Sequence, residues 1–172
     1  MGYLIPIVIV VLFVELILSG SWNRFYFTFG LPLFVRRAQC DNQLLDDALI
    51  AALNKEFAGS VGPDIVFNRL GPALCAFREK LFQFTLFTYT PIMHGIIVYD
   101  PRTSQASVIG HANWFFVAFV AVFISMSASA GEMLVVIFGV VGVIYFVQAR
   151  RFRSVSEFLT HFGRDESEVQ PR

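Results

Sequence analysis

From Trp114 to Val147 the chain carries neither lysine nor arginine, and its one charged side chain there is Glu132. No other run constrains the fold as strongly. As a single helix it would extend about 50 Å at 1.5 Å per residue, well past the roughly 30 Å of hydrocarbon in a bilayer. Its middle reads SMSASAGEM, which supplies small residues and a glycine. The pattern predicts two helices meeting in a tight turn near Gly131. A hairpin dipping into one leaflet, and one long helix leaving the membrane, are the alternatives.

A second apolar run, Tyr3 to Leu18, is broken only by Pro6 and Glu15. With its flanking residues it reaches the roughly 20 residues that a span requires. No Lys or Arg precedes it, Glu15 lies within it, and Ser19-Gly20-Ser21 makes a poor cleavage site. These features favour a retained anchor over a signal peptide. Composition agrees with a membrane protein: 56% of residues are hydrophobic and 15% charged, against about 45–50% and 25% in soluble domains.

Direction follows from the positive charges. Arg24, Arg36 and Arg37 follow the N-terminal run, Arg102 precedes the run from Trp114, and Arg150, Arg151 and Arg153 follow it. Excess positive charge marks the cytoplasmic side. The expectation is a multi-pass protein of a plasma (inner) membrane, with the N-terminus and Glu132 outside and residues 21–111 and the tail in the cytoplasm. Trp22 and Trp114 fall at the membrane–water boundaries, where indole rings are favoured. Ala121, Ser125 and Ser129, with Gly139 and Gly142 on the next helix, offer small faces for close packing. That packing would be within the hairpin or against a partner's helix.

Between the runs the pattern is mixed. RFYFTFG (24–30) alternates as a half-buried strand does, and LFVRR (33–37) resumes extended character. In DNQLLDDALIAALNKEF (41–57), Leu45, Leu49, Leu53 and Phe57 recur every four residues. This is a helix, with Asp41 or Asn42 as its cap and Gly59 as its stop. Residues 64–70 and roughly 73–90 return to β character, although ALCAFREKLF (73–82) also fits a helix. His94–Tyr99 and Gln105–Gly110 form a hairpin around DPRTS. Only Ala112 and Asn113 then separate the hairpin from the apolar run, so the sheet is held at a fixed height above the bilayer.

The expected fold class is therefore membrane α+β. Three transmembrane helices, one N-terminal and two in a C-terminal hairpin, flank a small cytoplasmic α+β domain whose sheet is covered on one face by a helix. The divisions are 1–20, 21–111, 112–148 and 149–172. In the last, Phe152, Val155, Phe158, Leu159 and Phe162 form a helical stripe with a capping box at Ser154 and Glu157. Entered through Arg150 and Arg151, it reads as an amphipathic helix whose Phe158 and Phe162 lie in the membrane interface. Packing on the domain is the alternative. The polar end, GRDESEVQPR, is expected to be disordered.

The chemistry is sparse. Glu15 is the acid inside the first run, and intramembrane acids often carry function, though snorkelling to the nearby boundary is easy. His94 and His111 are the metal candidates. If the turn is a four-residue loop, Pro101 to Ser104, Asp100 faces Gln105 and His94 falls opposite His111, close enough to share an ion; a two-residue turn would break that pairing. No third ligand is specified, so no metal is assigned. Cys40 and Cys75 fit no ligand spacing and read as buried thiols. No phosphate loop or catalytic motif occurs, and zero net charge removes the electrostatic case for nucleic acid. The chain is expected to be non-enzymatic and without cofactor. It would present its module to other membrane subunits, or to a second copy, in contact with membrane lipid. A transport or sensory component using Glu15 and a ligand-binding domain, and an interfacial enzyme acting on lipid, are the alternatives.

Overall fold

The computed structural model describes residues 4–40, 45–58, 63–80, 91–126 and 131–168. The fold is α+β, built on one five-stranded antiparallel sheet. Helix α1 (Leu4–Gly20) leads into a short helix α2 (Arg24–Thr28), then strand β1 (Pro32–Gln39) and helix α3 (Asp47–Glu56). Strands β2 (Ile65–Gly71), β3 (Leu74–Glu79), β4 (Met93–Asp100) and β5 (Gln105–Ala112) follow, then helices α4 (Trp114–Met126) and α5 (Gly131–Glu168). The order across the sheet is β1-β5-β4-β3-β2.

The β4–β5 hairpin has the expected register: Asp100 faces Gln105 and His94 faces His111. Asp100 accepts from the Arg102 N–H at 2.9 Å and the Thr103 hydroxyl at 3.1 Å, and Ser104 takes the left-handed conformation that closes the loop. Residues 74–79 are strand rather than helix. The strand expected over 82–90, and the caps expected at Asp41, Asn42 and Gly59, lie outside the described residues.

Both faces of the sheet are covered, not one. On the first face α3 sets Leu49, Leu53 and the adjoining Leu45 and Phe57 against Phe67, Phe77 and Ile97. Asp46 caps α3, accepting the Leu49 N–H at 2.8 Å. Asn54 meets both outward backbone groups of Phe67, at 2.9 and 3.2 Å, so the β2 edge is not left open for pairing. The rest of this face is covered by α5, whose Phe152, Val155 and Leu159 are fully buried.

That placement corrects the interfacial tail. Phe158 and Phe162 also pack against the core, and Phe158 meets Phe57 edge-on at 6.1 Å. Apolar sheet area was available, and α5 runs onto it without a break. Its helix also continues through 163–168, which were expected to be disordered.

The second face meets Tyr26 and Phe27 of α2, with Trp22 and Leu18 beside them. Residues 24–30, expected as a strand, are thus mostly helical. Asn23 accepts the Tyr26 N–H at 3.3 Å and starts the turn. Helix α1 ends with Asn23 N–H bonded to Leu18 O at 3.0 Å and Trp22 N–H to Ser19 O at 3.3 Å. This closure requires a left-handed residue, usually glycine. Here it is Trp22, at φ 53°. Its ring stacks on Phe27 at 5.4 Å beneath the Arg78 guanidinium, and these contacts offset the backbone strain.

Among the described residues one helix stretch, within Val135–Phe162, is both long and apolar enough to cross a membrane. Pro6–Gly20 and Trp114–Ser125 are apolar but shorter. Helix α4 packs along α1, and α5 packs on β1 and β5. Among the described residues the glycine face of α5 meets no partner: a methyl added at Gly139 or Gly142 meets nothing within 4 Å. Ser129 and the turn at 127–130 lie outside the described residues.

Candidate functional site at the helix–sheet junction

The end of α1, helix α2, the first residues of β4 and the start of α4 converge on one buried polar cluster. Glu15 is 6% exposed. One carboxylate oxygen accepts the Tyr26 hydroxyl at 2.6 Å, and the other accepts the Phe115 N–H. Phe115 is in the first turn of α4, so Glu15 serves that helix as a capping acid supplied from another helix, where negative charge is favoured.

Asn113 stands just before α4, yet its side chain reaches back to the sheet. Its Nδ2 donates to Pro91 O at 2.8 Å, its Oδ1 meets His94 Nδ1 at 2.9 Å, and its backbone N–H donates to Ile92 O at 2.8 Å. His94 stacks on Tyr26 with ring centres 4.3 Å apart. Burial pulls the His94 pKa down to about 4; the Asn113 bond opposes this and His111 adds to it. The ring is therefore neutral near pH 7. With Nδ1–H given to Asn113, its Nε2 is an acceptor. That atom has no partner in hydrogen-bond geometry among the described residues, and a backbone contact from Tyr26 raises the His94 pKa a little.

Burial also lowers the His111 pKa, against a backbone contact from Phe27. It raises that of Tyr26, and the Glu15 charge reinforces this, so Tyr26 remains a donor. Arg78 has its Nε buried without a hydrogen-bond partner among the described residues. The cluster borders a small cavity of about 40 Å³, lined by Leu12, Leu16, Ser19, Arg78 and His94 among others.

The two histidines are brought together as expected, with ring centres 5.8 Å apart. Among the described residues no group of three His, Cys, Asp or Glu is placed to hold a metal. Cys40 and Cys75 are both buried and not disulfide-linked, and burial pushes the Cys75 thiol up to about 12, far from a reactive thiolate.

The membrane-boundary residues divide. Trp114 Nε1 donates to Phe29 O at 3.3 Å, and its ring packs edge-on against Tyr26. Arg150 is exposed. Arg151 is not an interface residue: it pairs with Glu79, whose side chain is 0% exposed, and donates to Pro63 O. Gln148 joins them, donating to Glu79 at 2.8 Å and accepting the Ile92 N–H at 3.0 Å. Sequence reasoning missed Tyr26, Asn113, Gln148 and Glu79. Asn113 did carry a signal, since a polar residue directly before an apolar helix is a standard cap position.

No protein-family model, curated protein or solved structure matches the chain. Fold and site together define an α+β protein with a helix able to cross a membrane, joined to its sheet by buried polar contacts.

Proposed function

We propose that the chain is a non-enzymatic, three-span protein of a plasma (inner) membrane, with the N-terminus outside and the sheet domain cytoplasmic, acting as an accessory subunit of a membrane complex. The observation that carries this reading is the junction itself. Glu15 and Asn113 tie α1, α2, β4 and α4 together, so the domain cannot turn independently of its helices. Such a domain presents its surfaces at one height and orientation, which lowers the cost of association. Those surfaces are apolar where a partner helix or lipid would meet them: Phe13 and Ile17 on α1, and Val136 and Val143 on α5. Phe25, Phe29, Leu31 and Val35 add an exposed patch beside Trp114. Purification in mild detergent should return the chain with a stoichiometric partner or a second copy. Phe25→Ser with Phe29→Ser should reduce that recovery while the chain stays in the membrane fraction. A monomer under every mild condition would rule the reading out.

The polar atoms around the small cavity beside His94 favour a second reading, a sensory component that takes an ion or a ligand of a few atoms at the junction. His94 Nε2 and Arg78 Nε, which have no hydrogen-bond partner among the described residues, are what such a ligand would meet. A bound small molecule, rather than a protein, in the same purification would support it.

A further inference from the structure

Three arginines follow the apolar half of α5, and the fold uses one of them. Arg151 turns inward to Glu79. Arg150 and Arg153 are exposed, and neither forms an ion pair among the described residues. Three residues apart, they are neighbours on the helix surface. They line one open cavity of about 650 Å³ together with Tyr145, Phe146, Phe34 and Glu157. The Tyr145 hydroxyl donates to Leu33 O at 3.1 Å, which fixes that wall against β1.

We propose that this cavity binds the headgroup of an anionic phospholipid, with Arg150 and Arg153 on its phosphodiester and an acyl chain along Val143 and Phe146. The inference rests on the reading of α5 as a span. The order along α5 argues for lipid rather than a soluble anion. Exposed Val143 and Phe146 come first, then Arg150 and Arg153, as chain and phosphate follow one another in a lipid. A soluble phosphate would use the arginines and leave the apolar shoulder bare. Glu157 lines the same cavity, one turn beyond Arg153 and about 6 Å along the helix. Its charge offsets part of the arginines' attraction and disfavours a second phosphate, so the site suits a headgroup with a single phosphodiester and one negative charge.

The test uses the full chain in detergent, offered equimolar phosphatidylglycerol and phosphatidylcholine, with retained lipid read by native mass spectrometry. The wild type should retain phosphatidylglycerol in preference. Arg150→Gln with Arg153→Gln should lower that retention by about 10- to 30-fold, from the typical attraction per arginine near an anionic surface. Arg36→Gln with Arg37→Gln, which removes the same charge from the exposed β1 edge, should leave it unchanged. Should the first pair fail to fold, Arg153→Gln alone is compared with the wild type, and a smaller loss is expected. No anionic preference, equal loss in the β1 control, or displacement by millimolar inorganic phosphate would overturn the proposal. Release of the wild-type chain from membranes by alkaline carbonate would bring down the spanning reading as well. Retention in carbonate without lipid preference would remove the lipid site alone.

Discussion

Gly95 sits beneath the ring of Phe77, and a methyl built there would come within 2.0 Å of the ring carbons. Phe77 is fully buried against Phe67 and Phe152, so the ring has nowhere to go. Gly95→Ala should therefore destabilise the sheet by about 1–3 kcal/mol. Chemical unfolding measures this, and Phe77→Leu in the same background should recover part of the loss; no cost would mean that the two strands sit farther apart. His94 makes a different prediction, read through pH. Its pKa falls from 6.5 to about 4 on folding. Between those values the unfolded chain binds the extra proton, so stability rises with pH there. The contribution is complete above about pH 6.5 and lost as pH falls toward 4, at most about 3 kcal/mol. Glu15, Tyr26, Arg78 and His111 face the same cluster, and His111 adds slope of the same sign. The diagnostic quantity is thus the difference between wild type and His94→Asn across pH 7 to 4.5. The variant should have the flatter profile; parallel profiles would show that His94 gains its proton without resistance.

Helix α5 does two jobs in one element of 38 residues, about 57 Å at the usual rise. Its first half is apolar and mostly exposed, and its second half is a core helix of the sheet domain. The stripe of Phe152, Val155 and Leu159 was legible because a helical period marks a buried face. What buries it was not, since lipid and sheet impose the same period. Gln148 and Arg151 break the tie, because both reach Glu79 on β3. Phe152→Ala should cost about 3–5 kcal/mol of domain stability. Phe162→Ser, at the partly exposed end of the stripe, should cost under about 1 kcal/mol. Thermal unfolding of both variants checks the contrast, and similar small losses would return the tail to the bilayer surface. Residues 24–30 show the opposite ambiguity. Alternating aromatics gave a period of two, but α2 is only one turn and more, too short to display a helical period. Phe25 and Phe29 stack outward at 5.2 Å while Tyr26 and Phe27 turn in. Asn23 was the available clue. The hairpin was legible and its register conditionally so, because a four-residue loop gives the observed pairs whereas a two-residue turn would have shifted them. The polar cluster was not, since its members come from segments up to a hundred residues apart, as Glu15 and Phe115 are.

At the scale of the molecule, α1 ends, α4 begins and α5 crosses at one end of the sheet, where β5 passes into α4 with no spacer. A flexible insert tests whether that junction is a hinge or a fixed joint. Placed after His111, a Gly-Ser insert displaces Ala112 and Asn113. It then breaks the Ala112 N–H bond to Leu31 O at 2.8 Å and the Asn113 bonds to Pro91, Ile92 and His94. His94 would be left buried without its one side-chain partner, and such groups cost about 1–3 kcal/mol each. The same insert between Arg102 and Thr103 only lengthens an exposed loop, at about 0.6 kcal/mol per doubling. The two insertions should therefore differ by several kcal/mol in unfolding, although each adds the same residues. They should differ in association too. A loop insert leaves the domain at its height above the helices, so partner recovery in mild detergent should persist. The junction insert frees α4 from the sheet, and recovery should fall even at temperatures where the domain remains folded. Equal stability of the two insertions would mean that the contacts of Asn113 are dispensable. Equal partner recovery with unequal stability would mean that they serve the fold but not the presentation of the domain.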